Sequence, residues 1–148
     1  DVLMFYAENE SWDYRRFVQG FEESKCYWPP LKLEAGDETT FLESKFFVND
    51  DGIRYRIKNV NEEGENRVWR YHRYDSYCHV QQKRATMVAI LRKLHVMASD
   101  NEQLWYSGVQ KLYEFEQLGY PRSLRTYACA ILAKSTGNTT WFRIRDEQ

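Results

Sequence analysis

Between Arg67 and Lys93 the chain places seven lysines and arginines against a single carboxylate, Asp75. Tyr71, His72, Tyr74, Tyr77 and His79 are interleaved with them. Cations at this density suit backbone phosphates, and flat rings suit bases or sugars that stack. Arg67, Arg70, Arg73, Lys83, Arg84 and Arg92 are the candidate phosphate ligands. Tyr71 and Tyr74, with Tyr77 beside them, are the candidate stacking rings. The competing reading packs the tyrosines against helices and pairs the arginines with carboxylates elsewhere in the chain.

The balance of charge sharpens the choice. The 148 residues have a formal charge of -1, but residues 1–66 hold 15 Asp/Glu against 8 Lys/Arg, and residues 67–148 hold 7 against 13. An acidic half is thus followed by a basic half, which points to a polyanionic partner for the second. Other chemistry is sparse. Cys26, Cys78 and Cys129 are too few and too scattered for a disulfide framework, so a reducing, intracellular compartment is expected, the nucleus included. His72, Cys78 and His79 match no zinc spacing. Asp50 and Asp51 read as turn residues, and Glu62, Glu63 and Glu65 as a solvated loop. No phosphate loop, nucleophile elbow or dinucleotide fingerprint occurs. Asp1, a carboxylate before an apolar run, can ligate a metal, as two-metal polymerase sites require.

The elements that would position these residues are legible from periodicity. Val2 to Ala7 is a short apolar strand, and Ser11 offers an N-cap for a helix to about Cys26, with Trp12, Val18 and Phe21 facing a core. Pro29-Pro30 ends that segment, and Leu31 to Glu34 reads as a short strand. Thr40 to Val48 and Ile53 to Lys58 flank Asn49-Asp50-Asp51-Gly52, a hairpin signal. Ile53, Tyr55 and Ile57 alternate with Arg54, Arg56 and Lys58, giving one apolar and one basic face. Arg67 to Tyr71 reads as a further strand. From Gln82 the period becomes helical, with Met87, Ile90, Leu91, Leu94 and Ala98 on one face. Ser99 to Glu102 is a capping box for a second helix. Leu104, Gly108, Leu112 and Phe115 are its stripe. Gly119 closes it, and Pro121 opens a third helix with Leu124, Tyr127, Ala128 and Ile131 buried. Gly137 stops it, and the run from Thr139 to Ile144 adds a strand or docks as an arm. The expected fold class is α+β: a short antiparallel sheet with one helix, then a three-helix bundle. The expected parts are residues 1–66, residues 67–137 and a tail, 138–148. No run is long and apolar enough to span a membrane.

In order, these pieces resemble the C-terminal palm end and thumb of reverse transcriptases, most closely those of Penelope-like retroelements. DVLMFYA is similar to the strand after that family's aspartate pair, with Asp1 as the second aspartate. Phe41-Leu42-Glu43 stands where the family has Phe-Leu-Asp. The hairpin VNDDGIRYRI follows. Tyr74 to Arg84 stands where a Tyr-rich segment ends in Ser-His-His-Pro before Lys-Arg, although here Tyr77-Cys78-His79 replaces His-His-Pro. Gly119-Tyr120-Pro121 matches the family's link between two helices. The resemblance covers residues 1–132.

It implies a helical thumb-like bundle that grips an RNA or DNA duplex by its backbone, through Arg67, Arg70, Arg73, Lys83, Arg84 and Arg92, with Tyr71 and Tyr74 stacking. It implies Mg2+ only within an active polymerase, with Asp1 as catalytic residue and metal ligand. One carboxylate cannot hold two metals, and the chain begins at Asp, so the 148 residues are expected to be a piece of a longer protein and inactive alone, with no cofactor of their own. The alternative is a non-catalytic assembly subunit derived from such an element. It would bind protein partners through exposed Trp105, Trp141 and Phe142.

Overall fold

The computed structural model describes residues 14–26, 39–62 and 67–148. The chain forms two compact units, residues 1–38 and 39–148, so the 1–66 boundary falls within the second. The predicted strands at Val2–Ala7 and Leu31–Glu34, the Ser11 cap, Trp12 and Asp1 lie outside the described residues. In the first unit a helix, α1, runs Tyr14–Glu23, inside the predicted span. Phe17 and Phe21, one turn apart, stack with centroids 6.2 Å apart.

The second unit opens with a three-stranded antiparallel sheet, β1 (Thr40–Phe41), β2 (Ser44–Asn49) and β3 (Gly52–Ile57), in the order β1-β2-β3. The expected hairpin at Asn49–Gly52 is present, with Asn49 opposite Gly52 and Asp50-Asp51 as its turn. Gly52 has φ +128°, a region open to glycine but not to side chains. The predicted single strand Thr40–Val48 is instead folded back on itself. Phe41 pairs with Ser44, so Leu42 and Glu43 form a two-residue turn, and Leu42 takes φ 54°. Such turns need a positive φ, which is why β-prone residues gave no warning.

Four helices follow: α2 (Val80–Val96), α3 (Asn101–Gln117), α4 (Arg122–Thr136) and α5 (Thr140–Asp146). Met87 and Leu91 from α2, Leu112 and Phe115 from α3, and Ala128, Cys129 and Leu132 from α4 are wholly buried together. Fold class α+β with a helical bundle is therefore what the chain adopts, with one helix more than the three expected. Asp100, not Ser99, caps α3, accepting from the N–H groups of Glu102 and Gln103, both at 2.9 Å. Ser99 instead joins the sheet to the bundle: its N–H donates to Tyr55 O at 2.9 Å and its Oγ accepts from Tyr55 N at 3.0 Å.

The tail is neither strand nor arm. Trp141 and Ile144, one turn apart on α5, are both wholly buried. Gly108 makes the room: a Cβ there would lie 2.8 Å from Ile144 Cδ1. Asn138 starts the turn, its Oδ1 accepting from Thr140 N at 2.9 Å and its Nδ2 donating to Asn101 Oδ1 at 2.8 Å. A seven-residue helix is unstable by itself, so burial of the indole overrides the strand propensity of Thr, Trp, Phe and Ile. Trp141 is thereby removed from the surface anchors expected of an assembly subunit. Trp105 is half-buried, and only Phe142 is exposed.

The hairpin inverts the usual arrangement. Arg56, on its basic face, is buried with its guanidinium 4.6 Å from the Phe47 ring and 3.9 Å from the Tyr106 ring. It donates to Glu62 Oε1 at 2.6 Å and Gln103 Oε1 at 2.9 Å. Arg56 thus packs on α3, and Val48, Ile53 and Tyr55 of the apolar face are exposed, while Ile57 at the end of that face packs against the core.

Candidate nucleic-acid interface

The segment from Arg67 to His79 has no regular secondary structure, so the predicted strand at Arg67–Tyr71 is absent. It is held by its tyrosines and by the Gly119-Tyr120-Pro121 link. Tyr71 stacks on Phe115 at 5.4 Å, and Tyr74 tilts against Tyr120 at 5.4 Å. The backbone joins in: Tyr74 N donates to Leu118 O at 2.9 Å, and Tyr120 Oη donates to His72 O at 3.2 Å. Gly119 adopts φ +82°, which brings the link around beneath the segment. Burial raises the pKa of the Tyr71 phenol, helped by the nearby Glu114 carboxylate. Tyr71 and Tyr74 are each flanked by a core aromatic and by a lysine ammonium, Lys111 at 5.5 Å and Lys83 at 5.4 Å. Their expected role as stacking platforms is corrected to one of anchoring the segment.

Lys83 is the second correction. Only 5% exposed, it donates to Tyr74 O and Ser76 O, both at 2.6 Å. It sits at the start of α2, one turn from Met87 on the buried face, and gathers the carbonyls of the loop that precedes its own helix. A cation so placed organises backbone and does not reach a phosphate. Arg73, exposed, lies in a fork on Asp75 at 3.1 and 3.2 Å; this surface pair is weak and opens to a competing anion at little cost.

The remaining candidates point outward. Arg67, Arg70 and Arg92 are exposed and Arg84 is half-buried. None of these four has a carboxylate within ion-pair distance among the described residues. Two of them lie on rings that sequence reading missed. The Arg84 guanidinium is 3.7 Å from the centroid of Tyr127, and that of Arg67 is 5.7 Å from Tyr113. Periodicity alone predicts Tyr127 on the buried face of α4. That face instead runs through Arg125, Ala128, Cys129 and Leu132, which turns Tyr127 outward. A guanidinium lying on a ring keeps its N–H edge free for an anion. Arg84 and Arg92 line an open, shallow trough on α2 with Gln81, Ala85, Val88 and Ala89. Eight residues apart on one helix, they are separated by about 12 Å along its axis. Tyr77 is fully exposed beside this segment.

Among the described residues no group of three His, Cys, Asp or Glu is placed to hold a metal ion. Asp1 lies outside them, so neither its metal role nor the Mg2+ expectation gains any geometry. No described helix is long and apolar enough to cross a membrane. Comparison with protein-family models, curated proteins and solved structures gives no match.

Proposed function

We propose that residues 39–148 grip a nucleic-acid duplex by its phosphates, as the hairpin and thumb-like part of a reverse-transcriptase-like protein. The observation that carries this reading is the set of four outward arginines, Arg67, Arg70, Arg84 and Arg92, without carboxylate partners among the described residues of a chain of net charge -1. Cations without an ion pair among the described residues, where Arg54, Arg56, Lys93, Lys111 and Arg125 all have carboxylates, are available to a polyanion. Phosphate contacts position a duplex without reading its sequence. Any polymerase chemistry belongs to a longer chain carrying Asp1 and Mg2+.

The test is fluorescence anisotropy with an RNA–DNA hybrid, a DNA duplex and an RNA duplex across a salt series. Four neutralised phosphates give a log–log slope of about -3.6 on B-DNA. Binding that ignores salt, or no binding at low salt, overturns the reading. A second reading, a protein-assembly subunit, draws on the exposed hairpin face of Val48, Ile53 and Tyr55 rather than on the tryptophans. It predicts a salt-insensitive, co-purifying protein complex.

A further inference from the structure

Resting on that reading, we infer that Glu43 is a built-in competitor for the phosphate site, a carboxylate held against the basic surface until a polyanion displaces it. Glu43 sits at the tip of the β1–β2 turn, far in sequence from any helix it touches. Its carboxylate accepts from Lys93 Nζ on α2. Its carbonyl is fixed separately, accepting from Lys58 N at the end of β3 at 2.7 Å. Arg70 lies close enough that, after Lys93, it too helps to hold the Glu43 carboxyl below its ordinary pKa. The same two cations and Glu43 also act electrostatically on the Tyr71 phenol, after its burial and Glu114.

Two features separate this from an incidental surface pair. The turn that delivers Glu43 is strained, since Leu42 holds φ 54° where such turns favour glycine, and Leu42 gains no burial in return, being 71% exposed. The pair also silences one cation, Lys93, near Arg70, which has no carboxylate within ion-pair distance among the described residues. Both partners are more than half exposed, so their bond is weak and a phosphate can replace the carboxylate. The consequence is a raised threshold: part of a duplex's binding energy goes into displacing Glu43 from Lys93.

The test compares wild type, Glu43→Gln and the double variant Glu43→Gln/Lys93→Gln for binding to a fluorescein-labelled RNA–DNA hybrid across a salt series. Glu43→Gln is expected to tighten binding roughly two- to fivefold at low salt, the range an exposed pair allows. The salt slope should be unchanged, because Lys93 meets the same phosphate in wild type once Glu43 is displaced. The double variant should lose that gain and, without Lys93, about 0.9 of the salt slope. Salt-dependent wild-type binding with no change or a loss in Glu43→Gln overturns the competitor role and leaves the proposed function standing. Binding by Glu43→Gln alone supports the competitor role at its strongest. No binding by any of the three overturns both.

Discussion

Lys83 and Arg84 are adjacent in sequence, carry the same charge, and work in opposite directions. Lys83 is turned into the bundle, where it ties the carbonyls of Tyr74 and Ser76. Arg84 is turned outward on the ring of Tyr127, with no carboxylate within ion-pair distance among the described residues. One step of about 100° on a helix separates a group that builds the fold from one that is free to meet a ligand. The same division runs through the unit. Arg56, Lys111 and Arg125 belong with Lys83, buried with defined partners. Arg67, Arg70 and Arg92 belong with Arg84. A basic stretch is therefore two populations, and only the second bears on binding.

That division can be broken by substitutions ordered by expected loss of stability. Trp141→Ala sets the scale of a pure core loss. It should cost about 3–5 kcal/mol, read by urea unfolding, and a loss under about 1 kcal/mol would restore the tail as a loose arm. Lys83→Met should cost about 2–3 kcal/mol, because two carbonyls lose a charged donor; a neutral result would move Lys83 to the outward population. Asp100→Ala should cost about 1 kcal/mol through the α3 cap. Burial pushes the Asp100 carboxyl up, but the N–H of Gln103, the Ser99 hydroxyl, the N–H of Glu102 and Arg54 together hold it below its ordinary 3.8. A carboxyl lowered on folding contributes stability above its unfolded pKa and loses it as pH falls through the folded value. The variant should therefore show a flatter decline below about pH 4 than wild type. Arg84→Gln/Arg92→Gln should move stability by less than about 0.5 kcal/mol. It should reduce the magnitude of the salt slope of duplex binding by about 1.8. A stability loss equal to that of Lys83→Met would erase the distinction between the populations.

Much of the scaffold was legible before any coordinates. The stripes Met87–Leu91–Leu94 and Leu104–Leu112–Phe115, the turn at Asp50-Asp51 and the break at Gly119 follow from period and turn chemistry. Where the reading failed, a long-range partner decided the outcome. Thr139 to Ile144 has strand-prone residues, and only the space left by Gly108 explains why it is helical. Leu42 carries no sign of a turn. Tyr127 was placed on the wrong face because α4 buries Arg125 and Cys129 in preference to it. The candidate site was legible as a segment but not residue by residue. Type and spacing marked Arg67 to Arg92, but burial alone separates Lys83 from Arg84 and turns Tyr71 and Tyr74 from platforms into anchors. Lys93 and Glu43 were invisible as a pair, being 50 positions apart.

Cys129, sealed in the bundle core, makes the protein its own reporter. Burial pushes its thiol up to about 11, with Arg145 and Arg125 only partly opposing this, so at neutral pH the nucleophilic thiolate is withheld. Reaction with a thiol reagent then requires the helices to part, and the labelling rate measures how often they do. The exposed Cys26 and half-buried Cys78 supply the fast reference within the same chain. Added duplex that closes the bundle should slow labelling of Cys129 selectively. Because the folded thiol binds its proton more tightly than the unfolded one, stability should also fall as pH rises from about 9 towards 11, and Cys129→Ala should lessen that decline, leaving the part due to the raised Tyr71 and Tyr120 phenols.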